Sequence, residues 1–235
     1  MVKKGIPKNS WRSYAFEFLS IFIAVISAFA LNNWNDNRRD RHSEEKILRE
    51  IKNGLQLDLQ DIKVNEWGHR YGIRCCQYFR DLIDNHPVNQ DSLTFAYTVL
   101  VRDFTSIMNL SGYESMKSKG LEIIQNDSIR LQIIALYDYY YQIIYKLEEE
   151  ATEMQSFQNY FAPINEVLFP FMQFDEGGNL AHIQQPITIS DKERKKLFSY
   201  LWRIQNNRKF KLMRYALIEE KIKSLLAAID EELGA

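Results

Sequence analysis

The sequence predicts an all-α protein: one N-terminal transmembrane helix continuing into a long stalk and an antiparallel helical bundle. Three observations carry that reading. An apolar run, EFLSIFIAVISAFALNNW, occupies Glu17–Trp34. Beyond it, apolar residues recur at three- and four-residue spacing, the period of a helix with one buried face. Only five prolines and nine glycines occur in 235 residues, so long helices meet few breaks. This length suits one domain with a sizeable core plus a short appendage. The 46% hydrophobic and 26% charged residues are ordinary for a globular chain. The two cysteines, Cys75 and Cys76, are neighbours. A bridge between them would be strained, which excludes a disulfide framework and leaves the redox compartment open.

Taken in order, residues 1–13 form a basic tail with Lys3, Lys4, Lys8 and Arg12, and 14–34 form the span. Trp11 and Trp34 bracket it, 23 residues apart. As a helix that is ~35 Å, enough to cross a hydrocarbon core of ~30 Å with an indole at each interface. A cleaved secretory signal is the rival, since Ala28-Phe29-Ala30 fits the small-residue cleavage pattern. The long basic leader, Glu17 against the apolar core, and the direct passage into an amphipathic helix favour a retained anchor. A buried soluble helix is a third reading. Four basic residues precede the span, and Arg38, Arg39, Arg41, Lys46 and Arg49 follow it. With the amino terminus added the two sides tie. The common signal-anchor arrangement then sets the tail inside and the domain outside, on the periplasmic face of a bacterial inner membrane.

Within the span, Ser20, Ala24 and Ala28 recur at i, i+4 and i+8 with Ser27 beside them. Small residues on one face let helices approach closely in lipid, although Ala and Ser are also simply tolerated there. Glu17 is costly at a bilayer edge unless it snorkels, pairs with Arg12, or meets a neighbouring subunit. Snorkelling is the simplest of these.

The stalk, 35–90, starts with the polar juncture NDNRRDRHSEEK. Ile47, Leu48, Ile51, Leu55, Leu59 and Ile62 then follow helical spacing, with Gly54, Gly68 and Gly72 as points of loosening. No proline interrupts before Pro87. In the bundle, 91–235, a helical or mixed stretch is expected over about Ser92–Phe104. Ser111 and Glu114 match a capping box, and Gly120 would end that helix. Asn126-Asp127 would cap the next, which carries Ile129, Ile133, Ile134, Leu136, Ile143, Ile144 and Leu147 towards Pro163. After the loop FDEGGN no segment carries a convincing strand period, and the short Gln185–Ser190 is the best candidate. Ser190 and Glu193 form a second capping box, opening a last helix that reaches towards Leu233.

Two stretches carry a resemblance. The first is Tyr14-Ala15-Phe16-Glu17-Phe18-Leu19 with Leu31-Asn32-Asn33-Trp34. The second is Tyr113-Glu114-x-x-Lys117-Ser118-x-Gly120, followed by Asn126-Asp127-Ser128-x-Arg130. In these the chain resembles a group of uncharacterised bacterial proteins with a single N-terminal span, over about two thirds of its length. The resemblance implies a membrane-anchored helical protein and transfers no activity and no catalytic residue.

Sequence motifs for chemistry are sparse. His42, His69, His86 and His182 make no i, i+4 pair, so the helical zinc motif is missing. His69 with Cys75 and Cys76 is the nearest approach to a soft-metal set, and two buried thiols on a helix is the plainer reading. There is no phosphate-binding glycine loop and no nucleophile elbow. Asp175-Glu176 reads as a solvated turn. No catalytic residue, cofactor or metal is assigned.

Two surfaces remain. Tyr137, Tyr141 and Tyr145 recur at i, i+4, i+8, which suits either a partner or ligand face or plain bundle core. Between Lys192 and Arg214, Arg194, Lys195, Arg203, Arg208, Lys209 and Lys211 contribute to a strongly basic helix. Pairing with Glu148, Glu149, Glu150 and Glu153 across the loop, near Arg203 and Arg208, is the favoured expectation. Failing that, the anchoring membrane is a better partner than nucleic acid. The whole points to a membrane-anchored structural or interaction protein, a homo-oligomer or an accessory subunit bound to another membrane protein. A single-span sensor with a small-ligand site in its bundle is the alternative. An enzyme with a site formed only in the tertiary structure ranks last.

Overall fold

The computed structural model describes residues 10–155 and 160–234. It is all-α apart from one two-stranded ribbon. Helix α1 runs from Ser10 to Ile83, 74 residues without a break. Every side chain described from Trp11 to Asn35 is exposed. This part is long and apolar enough to cross a membrane, and none of its apolar window is buried against the rest of the chain. The polar juncture that follows is a single exposed helix, held by local pairs such as Asn32 with Asp36 and Arg39 with Asp36.

Burial begins at Glu44 and recurs at Ile47, Leu48, Ile51, Leu55, Ile62, Cys76 and Phe79. Helix α7, Asp191–Leu233, packs antiparallel on that stripe. Lys52 pairs with Asp230 at 2.5 Å at one end, and Asp84 with Arg194 at 3.4 Å at the other. Its capping box is complete, with the Ser190 hydroxyl accepting from the Glu193 amide and the Glu193 carboxylate accepting from the Ser190 amide. Gly234 closes it in the left-handed conformation at φ 66°.

Between α1 and α7 lie α2 (Leu93–Val101), α3 (Ser111–Lys119), α4 (Asp127–Ala135), α5 (Tyr141–Tyr145) and α6 (Ala162–Leu168). π-helical turns over Leu136–Tyr140 and Lys146–Glu150 flank α5. Two apolar cores result. One, nearer the span, gathers Ile51, Leu55, Ile133, Ile144, Ile218 and Leu225; the other gathers Cys76, Phe79, Leu100, Ile164, Leu201 and Ile204.

Four local expectations change. The Ser111 capping box does not form: Leu110 is the N-cap, and the Glu114 carboxylate turns forward to Lys117 at 2.7 Å. Close packing of Gly112 on the backbone of Ile51 fixes that helix start instead. The strands are β1 (Met172–Phe174) and β2 (Leu180–Ile183), on either side of the FDEGGN turn, and Gln185–Ser190 is not a strand. Asp175 accepts from the Asn179 amide at 2.7 Å, closing the hairpin. The glycines of α1 do not loosen it. A Cβ on Gly68 would come within 2.3 Å of the Phe104 ring, and one on Gly72 within 2.3 Å of the Arg208 guanidinium, so both serve close approach. Last, Tyr145 does not share the burial of Tyr137 and Tyr141: at the end of α5 it is exposed, and Ile144 takes the buried position.

Candidate functional site

The buried stripe of α1 reads Ile51, Leu55, Asp58, Ile62, Asn65, His69 at alternating four- and three-residue steps, so three polar groups share the phase of the core. Asn65 donates to Asp61 at 2.9 Å, while Asp58 and His69 meet the segment 102–110, which joins α2 to α3 with no regular structure. Its backbone groups have no ladder to satisfy them, and buried backbone polar groups require partners. Carboxylates take the donors. Glu148 accepts from the Ser106 amide and hydroxyl, both at 2.8 Å, and Asp61 from the Ile107 amide at 3.0 Å. Asp58 accepts from the Asn109 amide at 2.8 Å and from the Tyr141 hydroxyl at 2.6 Å. Tyr215 donates to Glu148.

Arg208, 1% exposed, takes the acceptors. One of its nitrogens, Nη2, donates to the carbonyls of Val99, Leu100 and Arg102 at 2.8, 3.1 and 2.8 Å. These are carbonyls at the C-terminal end of α2, where the helix dipole is negative and no intrahelical donors remain. A guanidinium there meets unpaired acceptors and an opposing partial charge together. Its Nη1 lies 3.4 Å from His69 Nδ1, and Lys211 lies 3.7 Å from Asp103. These groups form a polar belt between the two apolar cores.

Burial dominates its electrostatics. It raises the pKa of Asp58 against the opposing hydrogen bonds of Tyr141 and Asn109, and that of Glu148 against those of Tyr215 and Ser106. Burial, then the positive charges of Arg208 and Lys211, push His69 down to about 3, so its ring is neutral at ordinary pH. Burial lowers Arg208 as well. The thiols of Cys75 and Cys76 are pushed up to about 12 and about 11, chiefly by burial, which keeps them protonated. His69 is turned towards Arg208 rather than into a thiol cluster. Among the described residues no group of three His, Cys, Asp or Glu side chains is placed to hold a metal ion. The belt's chemistry is therefore that of a clamp, with acids holding amides and a base holding carbonyls across α1, α2, the 102–110 segment and α7.

The structure disperses the residues singled out from sequence. Tyr137 and Tyr141 are buried, Tyr137 stacking on Tyr113 at 4.6 Å and Tyr141 donating to Asp58, while Tyr145 is 54% exposed. They form core and belt, with no shared tyrosine surface. The basic helix divides likewise. Arg208 and Lys211 face inward, Lys195, Arg203 and Lys209 face solvent, and Arg194 pairs with Asp84. Among the described residues no ion pair joins Glu148, Glu149, Glu150 or Glu153 to Arg203 or Arg208. Glu148 is committed to the 102–110 segment and Tyr215, and the Arg203 guanidinium lies over the Tyr160 ring at 5.9 Å. The basic segment is also remote from the apolar run of α1. Arg208 sits beside Gly72 and Arg194 beside Asp84, which are ~57 and ~75 Å along α1 from Trp34 at 1.5 Å per residue. The basic segment belongs to the end of the bundle away from the apolar run.

In the apolar N-terminal part of α1, Ser20, Ala24 and Ala28 are exposed, and the Ser20 hydroxyl donates to the Phe16 carbonyl at 2.8 Å. Glu17, Trp11 and Trp34 are exposed too, with the Arg38 guanidinium 5.8 Å from the Trp34 ring centre. The side chain of Arg12, the suggested partner of Glu17, and the leader lysines Lys3, Lys4 and Lys8 lie outside the described residues.

Sequence reading missed the belt. Its signal was present in Asp58, Asn65 and His69 on the apolar phase of α1, with Gly68 and Gly72 opening space beside them. Comparison with protein-family models, curated proteins and solved structures gives no match.

Proposed function

We propose that this chain is a membrane-anchored helical interaction protein, working as a homo-oligomer or as an accessory subunit of a bacterial envelope complex. Residues 14–34 hold it in the inner membrane, and the bundle stands on the periplasmic side as the part that meets a partner. One observation supports this most: the apolar first third of α1 buries nothing within its own chain, yet continues without a break into a fully packed bundle. An apolar helix surface of that length requires lipid or protein around it.

The test is the native mass and protein content of the chain purified gently from its own membranes. A multiple of this chain alone supports self-assembly. A second protein at fixed stoichiometry supports the accessory role. Recovery as a free monomer in the soluble fraction refutes both. Protease added outside intact spheroplasts should digest the bundle; full protection would reverse the assigned side. Replacing Ala24 with Ile tests whether the small-residue face packs against a neighbour. A smaller native mass in detergent is expected, and an unchanged mass removes that face from the assembly.

A further inference from the structure

An open recess lies between α7 and the wall made by α5 and the π turn before it. Its volume is about 190 Å³, and Tyr139, Tyr140, Ile143, Arg214, Leu217 and Ile218 line it. On α7, Arg214, Leu217 and Ile218 stand at i, i+3 and i+4, so they share one face. On the other wall the π turn over Leu136–Tyr140 brings the consecutive Tyr139 and Tyr140 to the same recess, their rings 5.1 Å apart and nearly perpendicular. Turns of this kind recur at functional sites.

Arg214 sets this recess apart. Its Nε is enclosed and meets no hydrogen-bond acceptor. An enclosed donor in that state costs free energy until an acceptor is supplied. The Nε atoms of Arg194 and Arg208 are enclosed as well, but their other nitrogens meet Asp84 and the carbonyls of α2. Among the described residues no acceptor pairs with any nitrogen of Arg214. Its guanidinium lies 5.0 Å from the centre of the Phe210 ring. Such stacking holds the plane in place and uses none of the five N–H donors. Lys221, two turns further along α7 and over the Tyr140 ring, is by contrast paired with Glu220 at 3.6 Å.

We propose that this recess binds a small monocarboxylate with a ring-sized apolar body, the carboxylate on Arg214 and the body between Tyr139, Tyr140, Ile143 and Leu217. Charge and surface both select that class. The Nε–H and a neighbouring Nη–H offer a parallel pair of donors to the two oxygens of a carboxylate. The rest of the lining is aromatic and aliphatic, a surface that a bare inorganic anion leaves uncovered. Size sets the limit: a cavity of ~150 Å³ accepts benzene, so about 190 Å³ takes one ring. The bound molecule ties α5 to α7 and satisfies the enclosed donor. This site does not rest on the apolar run of α1. It also differs from the face of Tyr137 and Tyr141, which are buried.

The test uses the full chain in a mild non-ionic detergent and three probes. Phenylacetate carries ring and charge, phenylacetamide the ring without the charge, and acetate the charge without the ring. Binding is read by saturation-transfer NMR against a detergent blank. Arg214→Met keeps an unbranched stem and removes the donors, and Leu217→Trp fills the recess from a half-buried position; circular dichroism checks both folds. The expected result is saturable binding of phenylacetate, weakened about ten- to hundredfold by Arg214→Met, as for the loss of a charge-assisted hydrogen bond. It should be lost in Leu217→Trp, and the other two probes should bind at least about tenfold more weakly to the unaltered chain. Equal binding of acetate and phenylacetate means an adventitious ion only and overturns the proposal. Phenylacetate binding unchanged in both variants, or no saturable binding below about 10 mM, overturns it too. None of these outcomes touches native mass or protein content, so failure of this site leaves the interaction reading standing.

Discussion

Gly72→Ala should destabilise the bundle by about 1–3 kcal/mol, the range for overpacking a filled interior. The sign is opposite to what a helix interior alone would give, where alanine is worth about 0.5–1 kcal/mol over glycine. The reason is local. A Cβ on residue 72 would lie 2.3 Å from Arg208 Cζ and 2.5 Å from its Nε and Nη1. A long side chain ordinarily swings aside, but this guanidinium donates to three carbonyls at the end of α2. Moving it releases charge-assisted bonds worth roughly 1.5–3 kcal/mol each. Arg208→Ala should itself cost about 3–5 kcal/mol, because the same carbonyls lose their donor and a cavity opens. In that background the obstruction is gone, and Gly72→Ala should become stabilising by about 0.5–1 kcal/mol. Urea unfolding of the four proteins in mild detergent, followed by far-ultraviolet circular dichroism, closes the double-mutant cycle. A Gly72→Ala effect of the same sign and size in both backgrounds would refute the account of Arg208 as a locked cap.

Further outcomes follow from the belt and the helix ends. His69 falls from an ordinary 6.5 to about 3 in the folded chain, so the unfolded chain binds the extra proton between those values and stability drops as pH falls through that window. From pH 8 to pH 5 this residue should cost about 2 kcal/mol. Asp58 and Glu148, raised by burial, act with the opposite sign, but both are retained in His69→Gln, so the difference in pH dependence between wild type and variant isolates the histidine. Equal pH dependence would remove it. Cys75 and Cys76 should resist iodoacetamide in the native protein at pH 8 and react after unfolding, as mass spectrometry would read; rapid native labelling would contradict their burial and raised pKa values. Ser190→Ala should cost about 1 kcal/mol, as the loss of a formed N-cap. Ser111→Ala should stay within about 0.5 kcal/mol, because no cap exists there. Equal losses at the two serines would contradict the difference in their geometry.

The contrast between those two serines shows where sequence reading reaches its limit. Ser190 and Ser111 each precede a glutamate by three residues, but only the first lies at a free helix start; at the second, Gly112 is pressed on α1 and Glu114 finds Lys117 first. Apolar periodicity, the scarcity of proline and the uncharged run before Trp34 determined the all-α fold and an N-terminal helix long enough to cross a membrane. Those signals are local, fixed by which neighbours along one helix share a face. The inward turn of Arg208, the neutral His69, the commitment of Glu148 to the 102–110 segment and the distance of the basic helix from the span were decided only by tertiary structure. Each depends on partners 42 to 139 residues away in sequence, and a charged residue is drawn inside only where a distant backbone end leaves acceptors or donors unmet. Sequence specified the helices, and the antiparallel meeting of α1 and α7 determined which charges became their ties.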